Sequence, residues 1–129
     1  MTKVLIDTCM WAAYFNRPQS AVTHAIDNLL DDNRVVLIGP VLTEVLLGIK
    51  NPHRADYVAS QLEGVQWEVV RWQDWKYAAE LGRQLAARHE KIPLTDLAMS
   101  AIAIDRDFEV YTDDPHFDLF PAVKRFRSD

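Results

Sequence analysis

Cysteine is almost missing from this chain. Cys9 is the only one in 129 residues, so no internal disulfide can form and no cysteine-rich zinc site can be assembled. A lone thiol of this kind is expected to be small and buried. Long hydrophobic runs are missing too. Residues 1–7, MTKVLID, make one short strand-like stretch, and nothing has the length of a secretory apolar core or a bilayer span. The expectation is a cytoplasmic protein with no membrane partner. Positive charge is in deficit, with 14 Lys and Arg against 19 Asp and Glu and a formal net charge of −5. That balance argues against a protein that grips nucleic acid mainly through a broad basic surface. Local contacts survive the argument: Lys124, Arg125 and Arg127 make a basic tail, and Arg83, Arg88 and Lys91 lie along one helical segment. Repeats, linkers and low-complexity tracts are absent as well. With 49% apolar residues the chain can build a core unaided, and residues 1–129 are expected to form a single domain.

What is present alternates between strand-like and helix-like patterns. KVLI at residues 3–6 is a short apolar run ending at Asp7 and reads as a buried first strand. Helical spacing follows over Thr8 to Phe15 and again from Ser20, where Val22, Ala25, Ile26, Leu29 and Leu30 share a face until Asp31, Asp32 and Asn33 end it. Arg34 to Ile38 is the next strand, and Gly39-Pro40 opens a helix that contains Glu44. Pro52 interrupts, His53 to Leu62 is amphipathic, and Gly64 precedes a strand over Val65 to Arg71. A long helix over Gln73 to His89, a second over residues 95–105 and a strand over Glu109 to Thr112 complete the series, with a weaker terminal strand at Ala122 to Phe126. Such alternation predicts an α/β fold, a small parallel sheet with helices on both faces.

Four carboxylates stand out against this frame: Asp7, Glu44, Asp96 and Asp114 each fall at a strand end or in the early turns of a helix. In an open α/β sheet, groups distant in sequence meet beyond the carboxyl ends of the strands. Acids that meet there repel one another unless a divalent cation offsets the cost, and the pattern therefore points to a metal site for cutting nucleic acid. Each acid also has a commonplace role. Asp7 can cap the helix that follows it. Glu44 is the only charged residue in PVLTEVLLGI, where burial would be costly without a partner, unless Thr43, Glu44 and Leu47 form a narrow exposed edge. Asp96 suits the positive end of a helix capped by Thr95, and Ser100, four residues on, shares its face beside Met99 and Ala103. Asp114 lies in the turn TDDPHFD with Thr112 and Asp113, where Asp and Pro are ordinary turn residues. His116 reads as a loop-packing or phosphate-contacting residue, because one histidine without a partner is a weak metal signal. Taken jointly, the convergence of all four acids on one sheet edge outweighs their separate explanations.

The chain resembles a PIN domain, and within that family the VapC-type toxins of toxin–antitoxin pairs. The resemblance rests on VLIDTCMW, TEVLLG, LTDLAMSAIA and VYTDDPHF, in that order and with family-like separation over nearly the whole chain. It implies that the acidic site positions are Asp7, Glu44, Asp96 and Asp114, with Thr112 as a supporting hydroxyl and Asp113 as the one-residue alternative to Asp114. It implies further a PIN-like α/β/α sandwich acting as a Mg²⁺- or Mn²⁺-dependent endoribonuclease, an RNA substrate, a homodimer and an inhibitory VapB-like antitoxin. Oxygen ligands suit these hard cations. On this reading Asp7, Asp96 and Asp114 bind metal, while Glu44 binds it directly or through water, or positions or deprotonates the attacking water.

Two readings of other classes compete. A catalytically weak or inactive PIN-like module that binds RNA or antitoxin would keep the acids without turnover. A phosphoryl-transfer domain also places acids at strand ends, but an aspartate-nucleophile phosphatase would resemble D-x-D where this chain has Asp7, Thr8 and Cys9. A receiver would show an acidic pair there and a lysine after a late strand. Of the four tryptophans, Trp11 and Trp67 are expected in the core, and Trp72 or Trp75 at a dimer or antitoxin surface rather than as base-stacking platforms.

Overall fold

The computed structural model describes residues 1–128. Its elements run β1 (Val4–Ile6), α1 (Thr8–Asn16), α2 (Ala21–Asp31), β2 (Val35–Leu37), α3 (Gly39–Leu47), α4 (Pro52–Leu62), β3 (Gln66–Trp67), α5 (Trp72–Ala86), α6 (Leu94–Arg106), β4 (Glu109–Tyr111), a 3-10 turn (Pro115–Leu119) and β5 (Lys124–Arg125). The five strands form one parallel sheet in the order β3-β2-β1-β4-β5. β1 is central: Val4 and Leu5 pair with Val35 and Val36 on one side and with Glu109 and Val110 on the other. The chain first winds outward through β2 to β3 and then returns to the far side of β1 as β4. The topological switch therefore lies between β1 and β4, where an open α/β sheet leaves a crevice at its carboxyl edge.

Burial follows from this order. Every residue of β1 and β2 is buried, as continuous apolar strands covered on both faces must be. Ile26, Leu29, Val41, Val58, Met99 and Ile102 from the surrounding helices complete the main core with the aromatic rings of Trp11 and Phe117. A smaller core of Ala78, Leu81, Leu85, Ala101 and Phe120 joins α5 to α6. Gly82 lets the two helices approach closely at that junction: a Cβ there would come within 3.2 Å of Leu97 Cδ1, which would have to give by a few tenths of an ångström.

Several expectations are corrected. The strand expected over Val65 to Arg71 is only two residues long, because after the Glu68 N–H bonds Leu37 O the chain turns away and Glu68 pairs with Arg106 on α6. Trp67, expected in the core, sits on that edge strand and is 51% exposed. Helix α5 starts at Trp72 and stops at Ala86, short of His89, whose left-handed φ of 61° reverses the chain while the Glu90 N–H bonds back to Leu85 O. Thr95 does not cap α6: Pro93 holds the cap position, no side chain bonds there, and Thr95 is buried inside the first turn. Cys9 is exposed rather than buried. The turn read in TDDPHFD winds into the 3-10 turn Pro115–Leu119. No helix among the described residues is long and apolar enough to cross a membrane.

Candidate metal centre

Asp7 leaves the end of β1 as the cap of α1, and its N–H extends the sheet by bonding Tyr111 O on β4 at 3.0 Å. Its carboxylate is held from two sides. Thr8 N–H donates to Oδ1 at 2.7 Å, and the buried Thr112 Oγ1, just past β4, donates to Oδ2 at 2.7 Å. The capping role leaves room for a metal-binding one, since Oδ1, which takes only the Thr8 N–H, keeps a free lone pair. Asp7 is buried, and that burial is the main cause of a carboxyl pKa raised above the ordinary range, opposed by the Thr112 and Thr8 bonds and assisted by the charge of Asp114.

Asp96 enters from the first turn of α6 and is buried as well. Desolvation is the largest influence and pushes its carboxyl up to about 6; the charges of Asp7 and Asp114 add to the rise, and a hydrogen bond with His116 opposes it. Asp114 sits at the start of the 3-10 turn, where its Oδ1 accepts the His116 N–H at 2.9 Å, and Thr112 Oγ1 accepts the Asp114 N–H at 2.9 Å. Thr112 therefore bridges Asp7 and Asp114. Asp113, the one-residue alternative, is exposed, and its Oδ1 accepts from Cys9 Sγ at 3.1 Å. The same thiol reaches Asp7 Oδ2 at 3.6 Å. Withdrawal of the sulfur from water, together with the charge of Asp7, pushes the thiol up to about 12, so it remains protonated as a donor to the acids.

Glu44 stands apart from this group. It lies on the exposed edge of α3 with Thr43 and Leu47, the arrangement weighed as its ordinary explanation. Its Oε1 nevertheless accepts from Thr8 Oγ1 at 3.0 Å, which fixes it beside the residue that follows Asp7. Ser100, one turn after Asp96, is fully buried, and its Oγ has no hydrogen-bond partner among the described residues. His116 is the residue that the sequence undervalued. Its Nδ1 lies 3.1 Å from Asp96 Oδ2 and 3.3 Å from Asp114 Oδ1. Ligand atoms of Asp96, Asp114 and His116 all fall within 4.8 Å of one another. The signal for it was the D-x-H spacing at a strand end, but its partner Asp96 is twenty residues away in the chain.

No lysine or arginine among the described residues forms a salt bridge with Asp7, Asp96 or Asp114. Three mutually repelling carboxylates, two of them buried and none met by a fixed cation, make a donor set that fits a hard divalent ion.

A family model described as PIN domain matches residues 4–123. No curated protein sequence matches at a significant level. Among solved structures, VapBC2 from Rickettsia felis, bound to a DNA fragment from its promoter, has a TM-score of 0.81 at 17% identity, covering 95% of this chain and 96% of that one. DNA-bound VapBC from Salmonella typhimurium gives 0.78 at 19% identity over 98% of both chains. VapC20 from Mycobacterium tuberculosis, a sarcin–ricin loop cleaving toxin, gives 0.68 at 21% identity over 90% of this chain and 93% of that one.

Proposed function

The chain belongs to the PIN domain family, and from that premise we propose that it is the toxin of a type II toxin–antitoxin pair, a Mg²⁺- or Mn²⁺-dependent endoribonuclease. The observation that carries the reading is the meeting of Asp7, Asp96 and Asp114 at the switch point of the sheet, with no lysine or arginine among the described residues paired to them and only the His116 imidazole beside Asp96 and Asp114. Asp7, Asp96 and Asp114 would hold the cation, which when bound supplies Lewis-acid chemistry toward a phosphodiester.

The chain's own residues set up the rest. Thr112 and the Thr8 N–H fix the Asp7 carboxylate so that it does not have to be ordered when substrate arrives. The His116 N–H does the same for Asp114. Glu44, exposed and held by Thr8, would bind the cation directly or through water, or would orient or deprotonate the water that attacks phosphorus as the P–O ester bond breaks. Ser100, one turn on from Asp96 with its Oγ free of partners among the described residues, would support that face of the site. Asp113 and Cys9 support the pocket rim rather than its centre.

The VapBC likeness supports a VapB-like antitoxin partner for this chain, and the homodimer is carried by the family resemblance alone. Exposed Leu47 on the helix of Glu44, and exposed Leu94 just before Asp96, are apolar groups that such partners would cover. A cytoplasmic location fits the absence of a membrane-crossing helix among the described residues.

Incubation of the antitoxin-free protein with total RNA in Mg²⁺, Mn²⁺ or EDTA, beside an Asp96→Asn variant, tests the activity. Discrete new ends that require metal and vanish in the variant are expected. Equal cutting by the variant would assign the activity to a contaminant, and no cutting under any condition would favour a binding module without turnover.

A further inference from the structure

We propose that His116 is a nitrogen ligand of the metal centre, acting through Nδ1, and that it biases the site toward a transition-metal dication such as Mn²⁺ over Mg²⁺. This deepens the metal-dependent reading above and rests on it. Geometry is the first ground. Nδ1 lies 3.1 Å from Asp96 Oδ2 and 3.3 Å from Asp114 Oδ1. Neighbouring ligands of an octahedral ion with bonds of about 2.1 Å are about 3.0 Å apart, so Nδ1 stands near the spacing of an adjacent ligand position from each oxygen, and ligand atoms of all three residues lie within 4.8 Å of one another.

Placement of the ring is the second ground. Asp114 Oδ1 accepts the His116 N–H, so the carboxylate and the imidazole belong to one short turn. Pro115 begins that turn and Phe117, fully buried in the main core, anchors it. The ring is thus presented from a rigid support, while the His116 side chain itself stays 40% exposed and is not consumed by the core.

Charge and ligand chemistry are the third. Asp7, Asp96 and Asp114 already place three negative groups around a dication, and Glu44 stays on an exposed edge. A neutral imidazole adds a ligand without adding repulsion. Mg²⁺ prefers oxygen and retains its waters, whereas imidazole nitrogen suits first-row transition-metal ions, among which Mn²⁺ is the hardest and also suits carboxylates. A mixed carboxylate and imidazole set therefore favours a transition-metal dication over Mg²⁺, with Mn²⁺ the member that fits its acids.

The alternative for the same geometry is an imidazolium that serves as a built-in counter-ion and leaves when metal arrives. The two roles differ in sign. Purified protein is titrated with Mn²⁺ alone and Mg²⁺ alone by calorimetry, and the Mn²⁺ form is examined by pulsed electron paramagnetic resonance for coupling to a directly bound ¹⁴N. Wild type, His116→Ala, His116→Asn and Asp96→Asn are compared, with circular dichroism to verify folding. The expected result is a ¹⁴N coupling in wild type that disappears in both His116 variants. Mn²⁺ affinity should fall about tenfold or more in those variants while Mg²⁺ affinity changes by less than about threefold. Mn²⁺ bound in an Asp96-dependent way without ¹⁴N coupling, or tightened binding of both ions when His116 is removed, would overturn the ligand role and leave the metal site standing. Equal, weak binding by wild type and Asp96→Asn would overturn the metal reading itself.

Discussion

Asp74 and Asp96 are buried to the same extent, each 6% exposed, and each stands in the first turn of a helix, yet they have been given opposite surroundings. Asp74 is met by a fork: Arg106 Nη1 and Nη2 reach its two oxygens at 2.8 and 2.9 Å, and the Arg71 N–H adds a third bond at 2.8 Å. The same guanidinium reaches Glu68 through Nε at 2.6 Å. Hydrogen bonding by Arg106 holds the Asp74 carboxyl below its ordinary range, against the effect of burial. Asp96 has no such partner, only the imidazole of His116 and two further carboxylates whose charges raise it. Equal burial with opposite electrostatics separates a joint from a site. Where the fold needs rigidity it supplies the counter-charge; where it withholds one, it leaves the charge open to a cation from outside, as proposed above.

Removing the supplied counter-charge should have the largest effect. Arg106→Ala leaves Asp74 and Glu68 without their cation at the α5–α6 joint, and a loss of about 3 kcal/mol in urea unfolding is expected. Metal affinity of whatever remains folded should stay close to wild type, measured by calorimetry below the unfolding midpoint. A variant with intact stability would mean that the fork contributes nothing beyond what water supplies.

Neutralising the uncompensated acid should act in the other direction. In metal-free protein Asp96→Asn is expected to stabilise by about 2 kcal/mol at pH 7, because a carboxylate whose ionisation is disfavoured by burial has been removed at the lesser cost of burying an amide. The pH dependence has a definite sign. The Asp96 carboxyl is raised from 3.8 to about 6 in the folded state, so its protonated form favours folding and that contribution is lost as pH rises through this window. The stability gap between Asp96→Asn and wild type should therefore open between these values and level off above them. For Asp74, whose carboxyl is lowered, the stabilisation is complete above its ordinary value and is lost as pH falls through the folded one. Asp74→Asn should accordingly differ least from wild type in strong acid.

The smallest effect is expected at Thr112→Val. Asp7 keeps its Thr8 N–H but loses the 2.7 Å hydroxyl bond, and Asp114 loses an acceptor for its N–H. Mn²⁺ affinity should fall by about tenfold, with stability changed by about 1 kcal/mol or less. An unchanged affinity would remove Thr112 from the support of the site.

Much of this architecture is legible in the sequence because short apolar strands, proline-opened helices and strand-end acids are local signals. Asp7, Asp96 and Asp114 fall together as expected from their strand-end and helix-start positions. The Asp74–Arg106 joint was not legible, since its members are thirty-two residues apart and look like solvated helix charges until α5 packs on α6. His116 was undervalued for the same reason, its partner lying on another helix. Trp67 and Cys9 were misplaced because size or polarity alone does not reveal an edge strand or the rim of a pocket. Glu44 could not be assigned from an apolar helix whose exposed stripe is three residues wide.

The most direct test is the thermal stability of wild type and Asp96→Asn at pH 8, each with EDTA and with saturating Mn²⁺. Without metal the variant should melt higher; with Mn²⁺ the order should invert, because binding to the folded state alone adds about 2.7 kcal/mol at a hundredfold excess over Kd. The same ranking in both conditions would contradict the claim that this pocket is a cation site left uncompensated by the fold.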